Sequence, residues 1–209
     1  MPAGYDAQAI AEAMGIAFVR SLTQEAAPAQ DGPARGARSN AGGDSERFRI
    51  KVDDGSVLVV EIGDGDGGVR IGPFRRTLEK ERFRPPSPAL IEKAVEVGLP
   101  RSALRHVAEK LAGEDKAKIA ALEWGVVPKT TLLRRERQLS SQESERTERV
   151  ARLFVHARRA LGSDEEARQF MTTPHSLLDG RSPIDAARTD LGTRRTEQVL
   201  NALEYGLAL

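Results

Sequence analysis

The chain has 209 residues, enough for one large domain or two small ones with a real hydrophobic core. Charged residues make up 30% and aromatic ones 4%, so packing must rest on Leu, Ala, Ile and Val, which favours helices over a sandwich or barrel. Cysteine is absent, which excludes disulfides, thiolate catalysis and Cys-based metal centres, and a net charge of +1 demands no polyanion partner.

At the N-terminus, Asp6 to Gln24 reads as an Ala-rich helix with Ile10, Met14, Ala17 and Phe18 on one face. Met1 to Gln8 carries Asp6 and no Lys or Arg, unlike a signal peptide, and no apolar run is long enough to span a bilayer. A cytoplasmic protein without membrane contact is expected. Ala26 to Ser45 holds mostly Ala, Gly, Pro and Ser. Nothing apolar larger than Ala is available there to offset ordering entropy, so a flexible linker is predicted.

From Phe48 the period changes to two. Phe48, Ile50 and Val52 alternate with Arg49 and Lys51, Asp53 to Ser56 is turn chemistry, and Val57–Ile62 is β-branched and apolar. With Val69 and Ile71 these make a small three-stranded meander. Its loop Gly63–Gly68 formally matches Gly-x-Gly-x-x-Gly, yet no helix begins at Gly68, and Asp64 and Asp66 would repel a pyrophosphate. As a calcium loop it fails too, because Arg75 stands where a bidentate Glu belongs.

Beyond Ser87 the chain reads as consecutive helices. Ser87-Pro88 opens one that Gly98 closes. Leu104, Val107, Ala108 and Leu111 mark the next, and Ile119 with Leu122 a third. A turn at Gly125-Val126-Val127-Pro128 then precedes a helix from about Lys129. Ser140 with Glu143, and Ser163 with Glu166, fit capping boxes; between them Val150, Leu153, Phe154, Ala157 and Leu161 form an apolar stripe ended by Gly162. Ser182-Pro183 starts a short helix, and the last one carries Val199, Leu200 and Leu203 and stops at Gly206.

The expected architecture is mainly α: an N-terminal helix and linker (1–46), a β-meander (47–86), a helix-turn-helix-like bundle (87–139) and a C-terminal helical domain (140–209). No nucleophile–base constellation is visible. His106, His156 and His175 are scattered without a second ligand at metal spacing, so no catalysis, metal or cofactor is expected. A basic cluster is more informative. Lys129, Thr130, Thr131, Arg134, Arg135 and Arg137 fall on one predicted helix after a helix-and-turn unit, the way a recognition helix offers hydroxyls and guanidinium groups to DNA. A solvated charged face beside Leu132 and Leu133 is the plain alternative.

From about Leu99 to the end, the text resembles the Xre/MbcA/ParS antitoxin family. VVPKTTLLRRERQLSSQESERTERVARLF at Val126–Phe154 is similar to that family's degenerate helix-turn-helix and the start of its long helix. FMTTPHSLLDGRSPIDAARTDLGTRRTEQVLNALEYGLAL at Phe170–Leu209 is similar to its toxin-binding domain, with Pro174, Leu178, Gly180, Pro183, Gly192, Leu203, Tyr205 and Gly206 at matching positions. His175 replaces the usual Asn, Phe170-Met171 a Trp-Leu pair, and Asn201-Ala202 stands where an Arg is common.

The resemblance implies the antitoxin of a type II toxin–antitoxin pair. Its partner would be a RES-domain toxin, an NAD-consuming or ADP-ribosyltransferase-like enzyme whose cleft the C-terminus covers, and it would bind its own promoter DNA as a homodimer. The toxin-facing residues so implied are Pro174, Leu178, Gly180, Arg195, Glu204, Tyr205, Gly206, Leu207 and Leu209. Leu207 and Leu209 follow the helix-ending Gly206 and read as interface groups, whereas Val199, Leu200 and Leu203 read as packing of the helix on its own domain. The competing reading is a stand-alone transcription regulator with a C-terminal dimerisation or sensing module.

Overall fold

The computed structural model describes residues 5–20, 46–52, 57–62, 69–71, 82–134 and 138–206. The linker Ala26–Ser45, the loop Gly63–Gly68, and Arg135, Arg137, Leu207 and Leu209 lie outside these residues. In chain order the elements are α1 (Ala7–Ala13), β1 (Ile16–Arg20), β2 (Glu46–Val52), β3 (Val57–Ile62), β4 (Val69–Ile71), β5 (Arg82–Arg84), α2 (Pro88–Val97), α3 (Arg101–Ala112), α4 (Lys116–Val126), α5 (Lys129–Leu132), α6 (Ser141–Leu161), α7 (Asp164–Thr172), α8 (Pro183–Ala186) and α9 (Asp190–Tyr205). The chain is mainly helical, as its composition predicts.

The N-terminus corrects the sequence reading. Instead of one helix to Gln24, α1 is capped by Asp6, whose carboxylate accepts from Ala9 N at 2.9 Å, and ends at Met14. Gly15 then turns the chain with φ +61°, where a Cβ would stand 2.8 Å from the His106 ring. Ala17 and Phe18 therefore lie on a strand. Ile16, Phe18 and Val19 are β-branched or aromatic, and Ile16 and Phe18 alternate with Ala17; the period there is two, not 3.6. The predicted meander is accordingly part of a larger antiparallel sheet, ordered β4-β3-β2-β1-β5. Phe18 pairs with Ile50 on β2 and with Arg84 on β5. Ile16 and Phe18 are buried in the helical core, which joins the sheet to the helices.

Most of the predicted helix signals hold from Ser87 onward. Ser87 Oγ accepts from Leu90 N at 3.3 Å, with Pro88 in the first turn. Gly98, at φ +109°, lets α2 end against the strap before α6: a Cβ there would meet the Leu139 carbonyl oxygen at 2.4 Å. The strap is fastened by Leu139 N to Leu99 O (2.9 Å), Leu99 N to Ser144 Oγ (2.7 Å), and the Gln138 amide to Val97 O and Gly98 O (2.9 and 3.0 Å). The helix α6 runs down the centre and packs on α1, α2, α3, α7 and α9. Its stripe Val150, Leu153, Phe154 and Ala157 is buried as expected, against Leu104, Val107, Leu111 and Leu200 in the same core. Ser140 and Glu143 form the full capping box. At α7, Ser163 Oγ accepts from Glu166 N, but the Glu166 carboxylate takes the Ser163 hydroxyl rather than the backbone.

Candidate functional site

The C-terminal helices form a frame around one exposed loop. Two features fix the frame. Gly192, in the first turn of α9, passes so close to α8 that a Cβ would lie 2.1 Å from the Ala186 carbonyl oxygen. Three polar ties then pin α9 to α6: Arg152 to Glu197 at 2.8 Å, His156 Nε2 to Glu204 at 3.2 Å, and Arg159 to Glu204 at 2.9 Å. Burial lowers the pKa of His156 from 6.5, with the nearby Arg159 adding to it and Glu204 opposing. Glu204 thus faces α6.

The loop from Thr173 to Ser182 is built by a short 3-10 turn, Ser176–Leu178. His175 organises it: its carbonyl accepts from Leu178 N and Gly180 N, its N–H donates to Arg181 O, and its Nδ1 accepts from Leu177 N at 3.2 Å. The His175 ring also meets Phe170 edge-on, 5.8 Å between centroids. Asp179 and Gly180 both adopt positive φ, 57° and 71°, so the chain reverses there at the strain a non-glycine residue carries. Arg195 on α9 holds this reversal, bonding Asp179 through two nitrogens at 2.5 and 3.1 Å and Leu177 O at 2.9 Å. The same guanidinium holds the Asp179 carboxyl below the usual carboxylate range.

The residues expected to face a partner separate into two kinds. Pro174, Gly180, Tyr205 and Gly206 are exposed. Leu178 is fully buried beside Ala186 and Val199, so it anchors the loop and presents nothing outward; Arg195 and Glu204 are engaged within the domain. Leu203 differs from expectation in the other direction. It shares the spacing of the buried Val199 and Leu200 on α9, yet it is 44% exposed. Leu177 and Leu191, unmarked by the sequence reading, are exposed at 39% and 71%. Leu191 and Tyr205 stand fourteen residues apart on α9, four turns of one side, a periodicity the sequence did carry.

The helix expected to carry the basic cluster is shorter than predicted. Gly125 and Val126 belong to α4, so the connection is only Val127-Pro128, and α5 is four residues long. Lys129, Thr130 and Thr131 lie on α5 and Arg134 in the turn after it; the single helix expected for all six residues is corrected. Proline at 128 starts α5 without a side-chain cap, which leaves the short helix no N-terminal reinforcement. The Lys129 ammonium lies 4.6 Å from the centroid of the exposed Trp124 ring, a cation–π contact. Among the described residues no group of His, Asp and Glu is arranged to hold a metal, and no helix is long and apolar enough to cross a membrane.

Residues 156–206 match the family model described as the antitoxin Xre/MbcA/ParS C-terminal toxin-binding domain. No curated protein matches the chain.

Proposed function

We propose that this chain, whose residues 156–206 match the Xre/MbcA/ParS toxin-binding domain, is an antitoxin that neutralises a RES-type, NAD-consuming or ADP-ribosylating toxin by covering the NAD cleft with its C-terminal residues. The observation that carries this is the end of α9. Glu204 is clamped by His156 and Arg159, Gly206 closes the helix at φ +61°, and Leu203 and Tyr205 are left exposed immediately before Leu207-Ala208-Leu209. A fixed helix end followed by the apolar sequence Leu207-Ala208-Leu209 suits insertion, because the helix end itself is already ordered before binding.

A standard interface buries about 800 Å² per partner, which α9, the Thr173–Ser182 loop and the tail can supply together. Tail groups in the cleft exclude NAD by occupancy, with the toxin's own catalytic groups left in place. The antitoxin itself is read as non-catalytic. We further propose that it binds its promoter as a homodimer, with Lys129, Thr130, Thr131, Arg134, Arg135 and Arg137 near phosphates or base edges. The test is co-expression with the product of the neighbouring gene. Co-purification and rescued growth are expected; a neighbouring product that neither binds nor harms cells overturns the reading.

A further inference from the structure

The loop between α7 and α8 gives two successive leucines opposite fates. Leu178 is fully buried with Ala186 and Val199, while Leu177 is 39% exposed. A single exposed leucine needs no explanation in itself. This one is unusual in how firmly its backbone is held. Its N–H donates to His175 Nδ1 at 3.2 Å, and its carbonyl oxygen accepts from Arg195 at 2.9 Å. Two residues on, Asp179 adopts φ +57°, a conformation a non-glycine residue keeps only when its surroundings impose it. Arg195 imposes it by bonding the Asp179 carboxylate through two nitrogens. Strain and three bonds from α9 are thus spent on a loop that leaves an apolar side chain in solvent.

We infer that Leu177 is a second toxin anchor, docking in an apolar hollow of the toxin outside the NAD cleft, and that Arg195 is the positioning residue that presents it. The inference rests on the toxin reading and adds to it a contact that the tail does not make. The toxin is the occupant because the loop lies within residues 156–206, the stretch that matches a toxin-binding domain. The surroundings agree. Leu191, also exposed, stands one turn before Arg195 on α9, so the guanidinium has one exposed leucine near it on the helix and another on the loop. Leu191 also lies on the side of α9 that leads to Tyr205 and the tail. The neighbouring charges are closed in place: Arg181 and Arg195 share Asp179, Arg188 pairs with Asp185 at 3.1 Å, and Arg194 pairs with Asp190 at 3.0 Å. Arg195 is therefore spent inside the domain, and the contact is apolar rather than charge-steered. A leucine whose backbone is fixed beforehand loses little further freedom on docking.

The experiment titrates the full chain and its variants by calorimetry against the separately purified product of the neighbouring gene. Leu177→Ala should weaken binding about tenfold or more, by the same factor at low and high salt, with its thermal melt close to that of the wild type. Leu177→Met keeps the apolar volume and should restore most of the loss. Arg195→Ala should weaken binding as well, and so should Asp179→Asn, since asparagine tolerates the left-handed backbone but lacks the charge. The deciding readout is the double variant. If Arg195 acts through Leu177, then Leu177→Ala combined with Arg195→Ala should cost no more than the larger single loss. Losses that multiply in full would give Arg195 a toxin contact of its own and overturn its positioning role. Wild-type affinity in Leu177→Ala overturns the anchor, and a loss that fades with salt overturns its apolar nature. A gene product that fails to bind even the wild-type chain overturns the toxin reading and this inference with it, so binding by the wild type tells the two failures apart.

Discussion

Arg195 grips the carboxylate of Asp179 with two nitrogens and the Leu177 carbonyl with one, so a single α9 side chain sets the shape of the loop sixteen residues upstream. The carboxyl is held below its ordinary value of 3.8, chiefly by its hydrogen bond to Arg195. The sign follows: the clamp contributes fully above pH 3.8 and is lost as pH falls through the lowered value. Amide exchange of Leu177–Arg181 should therefore keep its protection factors from pH 7 to about pH 4. Arg195→Ala should remove that protection throughout, with little change in global melting because both groups are exposed. Unchanged exchange in the variant would show the loop holds itself.

Gly192 offers a sharper structural test. An alanine methyl would stand 2.1 Å from the Ala186 carbonyl oxygen, a backbone atom that cannot rotate away. Gly192→Ala should cost about 1–3 kcal/mol by urea denaturation, the range for overpacked sites, although alanine is ordinarily the better helix former. A stabilised variant would contradict the packing of α8 against α9.

His156 makes stability depend on pH in a stated direction. Its folded pKa lies below 6.5, mainly through burial, so the unfolded chain binds the proton more readily. Its contribution is present above pH 6.5 and is lost as pH falls through the lowered value. The denaturant midpoint of the wild type should therefore drop more between pH 7 and pH 5 than that of His156→Gln. A parallel drop in both would remove His156 from the balance.

How much of this was legible in sequence depends on where local signals agree with tertiary demands. The Ser87-Pro88 start, the Ser140–Glu143 box and the Gly162 and Gly206 stops were readable because caps are local chemistry. The strand at Ile16–Arg20 was not, since Ile10, Met14, Ala17 and Phe18 also satisfy a helical spacing and only the turn at Gly15 decides between them. Within the candidate site, Tyr205 and Gly206 could be placed from the helix stop alone. The inward turn of Leu178 onto Ala186 and Val199 and the Arg195 clamp on Asp179 depend on partners brought in from other elements, and the exposure of Leu203 is invisible to its helical spacing. The burial of Glu123 on α4 was hidden for a related reason: it reads as a surface residue until Arg105 is seen beside it.

For DNA, the proposed contact makes a quantitative claim. Each phosphate contact adds about 0.9 to the slope of log K against log salt. Replacing Arg134 and Arg135 by Ala in both copies of a dimer removes four cations, so the slope should flatten by about 3–4. Operator binding followed by anisotropy between low and physiological salt measures it. An unaltered slope places the contact on other side chains.

The two proposed activities should come apart by mutation, because Lys129–Arg137 and Tyr205–Leu209 are separated by the length of α6. Leu207 and Leu209 follow Gly206, whose left-handed φ of 61° ends the helix, and α9 is already secured upstream by Gly192, Glu197 and Glu204. Deleting Leu207–Leu209 should therefore leave the melting temperature and DNA binding unchanged. If the tail fills the toxin's cleft, the deletion removes two leucines from a desolvated site, each worth roughly 1.5–3 kcal/mol. Affinity for the toxin should fall about a hundredfold or more. NAD should compete with the intact antitoxin for the toxin and should leave the binding of the truncated one unchanged, since occupancy is the means of inhibition. The converse variant, Arg134→Ala with Arg135→Ala, should fail in gel shifts on upstream DNA and still protect cells. Growth on co-expression, toxin affinity by calorimetry and gel shifts separate these outcomes. Full protection by the tail deletion would move neutralisation onto the exposed surface of Pro174, Leu177, Leu191 and Tyr205, and the cleft would have to be blocked from its rim.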